Sequence, residues 1–142
     1  MAVRVRLKLT HNDREAETVA LVNTGFETDE PEILLPLKLA EKLGLHPPPE
    51  GSSLEEYDVI GGTAFMLRCP KAIHVQVLVE DRETLPVEAI PLVSDREEEV
   101  LISDILASRL GIAIDDAGRG IWRFADEPLM KRRKSERPML WR

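Results

Sequence analysis

The chain has 142 residues, 43% of them hydrophobic, one cysteine and a formal charge of −7. That length fits one domain with its own core, a single cysteine excludes an intrachain disulfide, and no apolar run approaches a membrane span; with no signal-peptide stretch after Met1, the expectation is a cytoplasmic protein without membrane contact. The charge is uneven: Lys131 to Arg142 carries +5 and the remainder −12, an acidic body with a basic tail that can dock on itself or on an acidic partner.

Val3, Val5, Leu7 and Leu9 alternate with Arg4, Arg6 and Lys8, the period of a strand with one buried face. His11-Asn12-Asp13 reads as a turn and Glu17 to Val22 as the returning strand. That strand runs into Asn23-Thr24-Gly25, two short hydrogen-bonding side chains on a sharp turn, with a glycine expected to take backbone geometry that other residues resist. Phe26 to Glu32 is a polar loop and Ile33 to Leu35 a short apolar strand. Pro36 stands where a helix can begin without its N–H. Leu37, Ala40 and Leu43 share a helical face, and Gly44 suits the C-terminal cap. His46-Pro47-Pro48-Pro49 is a stiff connector.

Two β-type runs, Leu54 to Ile60 and Thr63 to Cys69, flank Gly61-Gly62 and predict a hairpin. Cys69 reads as a small core residue. Ile73 to Val79 alternates as a strand, Asp81-Arg82-Glu83 turns, and Leu85 to Val93 forms another strand, which Pro86 and Pro91 predict to be an edge or bulged one. Asp95 to Glu99 is an acidic, solvated connector. Ile112 to Asp115 and Ile121 to Phe124 make a last hairpin. His11, His46 and His74 each stand apart from other ligand types, so neither a metal nor another cofactor is expected.

Glu32 to Leu45 aligns without a gap on Glu99 to Ile112. Glu32/Glu99, Leu34/Leu101, Leu39/Leu106, Ala40/Ala107, Leu43/Leu110 and Gly44/Gly111 are identical pairs, and upstream Leu21-Val22-Asn23 faces Leu92-Val93-Ser94. This reads as an internal duplication of a hairpin, a strand and a short helix, two units sharing one core in a mostly β domain. Ser103 and Asp104 are candidate caps of the second helix, and a cap is a better account of Asp104 than a second catalytic acid.

An apolar strand ending in polar-Thr-Gly, a loop, an apolar strand and a helix closing on Leu43-Gly44 resembles the retropepsin-like aspartic proteases, single-domain relatives of pepsin that work as homodimers. The match covers Val19 to Leu45, and Leu101-Ile102 with the following helix extends it to about Phe124. A protease-like domain over 1–124 and a basic C-terminal tail over 125–142 follow. The resemblance implies a mainly β, acid-protease-like closed β-barrel with two short helices, and a catalytic turn of Asn23, Thr24 and Gly25 from each subunit. It also implies a flap over an extended peptide, with Phe26, Ile60, Gly61 and Gly62 touching substrate; without it, Gly61-Gly62 is an ordinary surface turn. In relatives the chain ends help form the dimer sheet, and Leu140 and Trp141 are the anchors on offer here.

Two positions depart from the pattern: Asn23 stands where the family has its catalytic Asp, and Ser103 where glycine is usual. In the family two carboxylates meet across the two-fold axis and share a proton. The ionised one takes a proton from the attacking water, and the protonated one stabilises the oxyanion. An asparagine amide fills the same space but has no basicity near neutral pH, so a symmetric dimer of this chain is expected to fold as a protease and not to hydrolyse peptides. Asn12, Asn23 and Gln76 are the chain's only amide side chains, amid abundant Glu, Lys, Arg and Pro, a bias that fits a thermophile. Besides an aspartic peptidase scaffold, two readings stand: a non-catalytic dimer binding a peptide by strand addition, and a nucleic-acid binder acting through Lys131 to Lys134, which the acidic body disfavours.

Overall fold

The computed structural model describes residues 2–142. The alternating stretch near the start forms β1 (Arg4–His11), with Val5, Leu7 and Leu9 on its buried face. The chain turns through Asn12, at φ 55°, into β2 (Arg14–Val22). Asparagine tolerates that left-handed geometry. The two strands pair antiparallel, from Arg4 opposite Leu21 to His11 opposite Arg14.

Two units of the same construction interlock beyond this hairpin. In the first, β2 leads by a loop to β3 (Glu32–Pro36) and α1 (Leu37–Lys42). In the second, β7 (Val87–Ser94) leads to β8 (Val100–Ile102) and α2 (Asp104–Arg109). β8 lies parallel to β2, β3 lies parallel to β7, and β3 and β8 run antiparallel side by side. The registers match: Leu101 faces Leu21 as Leu34 faces Leu92, and Ile102 faces Val22 as Leu35 faces Val93. Residues that align in the repeat therefore occupy equivalent ladder positions. Leu39-Ala40 and Leu106-Ala107 are the buried pairs of the two helices. Gly44 and Gly111, at φ 74° and 76°, end them alike.

The ring is completed by β6 (Ile73–Val77), giving the order β3-β8-β2-β1-β6-β7, and the β3–β7 pairing closes it into a six-stranded barrel. Leu7, Leu9, Ile33, Leu35, Val75 and Ile102 belong to its buried core, and the helices add Leu39, Leu43 and Leu106. Two expected strands are shorter, β6 stopping at Val77 and β7 starting at Val87. The prolines do not make β7 an edge, for it pairs with β6 and then β5 (Gly62–Arg68) along one side and with β3 along the other. Ile90 donates to Pro31 O on the β3 side, so the position without an N–H at Pro91 faces the changeover from β6 to β5, where no ladder donor is required. β4 (Ser53–Val59) pairs with β5 as a hairpin outside the ring.

A smaller sheet holds β9 (Ile112–Asp116), β10 (Ile121–Phe124) and β11 (Arg133–Lys134). With it the basic tail is pinned to the acidic body of its own chain. The Arg133 guanidinium donates to Asp81 at 2.8 Å and to Glu127 at 2.7 Å, and this hydrogen bond is the main reason the Glu127 carboxyl is held down to about 2. Lys131 joins Asp81 at 2.6 Å. Trp141 donates through its backbone to Glu98 O and through Nε1 to the fully buried Thr18 hydroxyl, at 2.8 and 2.9 Å. Trp141 thus serves its own chain, while Leu140 remains exposed. No described helix is long and apolar enough to cross a membrane.

Candidate functional site

The Asn23 turn sits at the end of β2, where Asn23 N–H donates to Ile102 O of β8. Asn23 Oδ1 accepts from Gly25 N–H at 3.1 Å and Asn23 O from Phe26 N–H at 3.0 Å, so side chain and backbone both close the turn. The amide NH2 of Asn23 has no partner among the described residues, and neither has the exposed Thr24 hydroxyl. Gly25 does not have the positive φ expected of it. Its lack of a side chain matters for space instead: a Cβ there would stand 3.3 Å from Asn23 Oδ1.

What fixes the turn is the second copy of the repeat. Asp104 N–H donates to Phe26 O at 3.0 Å, and Asp104 Oδ1 accepts from Thr28 N–H at 3.1 Å. Ser103 N–H donates to Glu32 O at 3.0 Å. Ser103 Oγ then accepts from Glu32 N–H at 3.1 Å and caps α2 by accepting from Leu106 N–H at 3.2 Å. Ser103 is fully buried. A glycine at this position could offer neither acceptor, so the serine gives the joint between the two copies a polar bond that a glycine lacks. Asp104 thereby tethers the loop that follows the turn.

Phe26 packs with Leu34, Met66 and Leu92 in a small apolar cluster separate from the barrel core, joined by Tyr57, Ala64 and Leu101. Tyr57, Ala64 and Met66 lie on the inner face of the β4–β5 hairpin, so the hairpin covers Phe26 and the strands beside the turn. Its tip behaves differently. Ile60 is fully exposed, and Gly61 and Gly62 have open space where a Cβ would be. Gly61 takes φ 90°, which a side chain would strain. Thus Phe26 and the hairpin body come together, while Ile60, Gly61 and Gly62 stand clear of the rest of their own chain.

A polar joint holds the hairpin base. Glu32 is buried and accepts from Tyr57 OH at 2.9 Å and from Arg68 Nη1 at 2.7 Å, while Arg68 also reaches Glu30. Burial, then the hydrogen bond to Glu32, pushes the Tyr57 hydroxyl up to about 12. Burial opposes the charge on Arg68, but Tyr57, Glu32 and Glu30 outweigh it and raise its pKa. The repeat partner Glu99 likewise binds an arginine, Arg4, from an unrelated strand. The sequence showed the repeated glutamate but not its arginines, because Arg68 is 36 positions away. Glu27, Thr28, Asp29, Glu32, Tyr57 and Asp104 line an acidic cavity of about 440 Å³ beside the turn. Among the described residues no group of His, Cys, Asp and Glu is placed to hold a metal ion. Cys69 is buried, and burial raises its thiol pKa.

No protein-family model matches the chain, and no curated protein matches it.

Proposed function

We propose that the chain is a retropepsin-like aspartic endopeptidase scaffold that works as a homodimer, with one Asn23-Thr24-Gly25 turn per subunit and no hydrolytic activity while Asn23 holds the aspartate position. The observation that supports it most is the interlocked repeat. The polar-Thr-Gly turn leaves a strand that is parallel to the second copy's strand and tied to the second copy's helix start. The same chain places a glycine-tipped hairpin over the neighbouring apolar cluster. The free amide of Asn23 and the free hydroxyl of Thr24 agree with a turn whose remaining partners come from a second copy. An extended peptide would lie between the turn and the hairpin.

Asn23 has no proton-accepting carboxylate, so the attacking water has no base. The second reading, a non-catalytic dimer that binds peptides or proteins, is favoured by that residue alone. Two amides facing each other also avoid the repulsion of two carboxylates, so the dimer of the chain as it stands is expected to be tighter near neutral pH than that of Asn23→Asp. Sedimentation measures the dimer, and a mixed peptide library at mildly acidic pH measures cleavage. Cleavage that appears only in Asn23→Asp and is blocked by a statine-type inhibitor supports the peptidase scaffold. Peptide binding by both forms without cleavage supports the second reading. A chain that stays monomeric at high concentration in both forms refutes the proposal.

A further inference from the structure

The described residues leave eight large apolar side chains exposed, and four of them fall in two pairs beside unpaired charges of opposite sign. The first pair is Leu54 and Phe65, 65% and 60% exposed. They lie on the outer face of the β4–β5 hairpin, opposite the face that carries Tyr57, Ala64 and Met66. Glu56, directly across from Phe65, and Asp58 share that outer face. Both carboxylates are exposed and make no ion pair among the described residues. From Ser53 to Leu67 the chain has three carboxylates and no cation. The second pair is Leu129 and Met130, 76% and 91% exposed, in the turn that Lys131 N–H closes on Pro128 O. Lys131 and Arg133 reach Asp81, so Arg132 and Lys134, at the alternate positions, face solvent without an ion pair among the described residues. No carboxylate interrupts the stretch from Pro128 to Ser135. The two patches are held apart within one chain, the hairpin by β7 and the tail by β10 and Asp81.

Exposed apolar side chains grouped with charges of one sign mark contact surfaces. Ion pairs between exposed side chains are weak by themselves, so each patch needs a partner that offers apolar area and the opposite charge together. The chain carries that partner itself. Two hairpin faces brought together would oppose their carboxylates, and two tails their cations, so like-with-like contact is disfavoured. We propose that the outer hairpin face of one copy docks on the Leu129–Lys134 stretch of another. Leu54 and Phe65 then meet Leu129 and Met130, and Glu56 and Asp58 meet Arg132 and Lys134. The contact joins unlike surfaces, so it closes as a ring or extends head to tail. None of these residues belongs to the Asn23 turn, and the contact goes beyond the dimer proposed above.

Sedimentation of the full chain at low salt, over a wide range of concentration, reads the contact, which is expected to weaken as salt is added. Glu56→Lys/Asp58→Lys and Arg132→Glu/Lys134→Glu change only exposed side chains, and circular dichroism checks that each variant folds. Each variant alone is expected to weaken this association by about tenfold or more. Mixed in equal amounts, the two are expected to regain it, because the reversed hairpin of one meets the reversed tail of the other. Association that persists in each variant alone belongs to the Asn23-turn dimer, so the two readings fail separately. The proposal is overturned if the unaltered chain shows no salt-sensitive association up to millimolar concentration, if each variant associates as the unaltered chain does, or if mixing the folded variants restores nothing. Binding of oligolysine by the hairpin, or of vesicles containing an anionic lipid by the tail, in a chain that does not self-associate also overturns it, in favour of another occupant.

Discussion

Replacing Ser103 by alanine tests the joint between the two copies of the repeat. Its Oγ accepts from two backbone N–H groups, Glu32 at 3.1 Å and Leu106 at 3.2 Å, and the residue is fully buried. Alanine leaves both donors without that acceptor, in a place water reaches poorly. Each orphaned N–H costs about 1–3 kcal/mol, and loss of a helix cap by itself costs about 0.5–2. Both bonds are at the long end of the usual range, so the sum falls near the lower bound, about 2–3 kcal/mol. For a domain of this length the unfolding entropy is about 0.3 kcal/mol per degree, so Tm is expected to fall by about 7–10 °C. Urea unfolding monitored by tryptophan fluorescence gives the free energy, and calorimetry gives Tm. Ser108→Ala on the exposed face of the same helix is the control, with a change of about 0.5 kcal/mol or less. A loss below about 0.5 kcal/mol for Ser103→Ala would refute the reasoning, since it would mean that both N–H groups find other acceptors at no cost.

Arg68→Ala leaves the Glu32 carboxylate buried without its cation; about 3–5 kcal/mol of stability is expected to be lost, and hydrogen exchange should speed up in 53–68 before the barrel strands. Tyr57→Phe removes one hydrogen bond to a charged group and should cost about 1.5–3 kcal/mol. Glu127 has a folded pKa of about 2 against an ordinary 4.5, so between these values the unfolded chain binds more protons and stability is lost as the pH is lowered. Urea midpoints measured down to pH 2 should therefore drop less steeply for Glu127→Gln than for the unaltered chain. Trp141→Ala removes the donor to the buried Thr18 hydroxyl and should cost about 2–4 kcal/mol, and limited proteolysis should then cut the tail after Lys131 and Arg132.

The order of strands, the two helices with their closing glycines and the repeat were legible in the chain, because alternation and the Leu-Gly closures are local signals. Several features were set only by three-dimensional packing. Pro91 looked like an edge residue because a missing N–H counts against a central strand. It fits a shared strand because the gap falls where β7 exchanges β6 for β5. Ser103 read as a helix cap, but its bond to Glu32 spans 71 positions. The basic run at Lys131 to Lys134 showed its charge and not its partners. Asp81 and Glu127 take up Lys131 and Arg133 and leave Arg132 and Lys134 outward. Local periodicity encodes which residues face inward, whereas the pairing of distant charges and N–H groups is decided only when the two halves of the barrel close on each other.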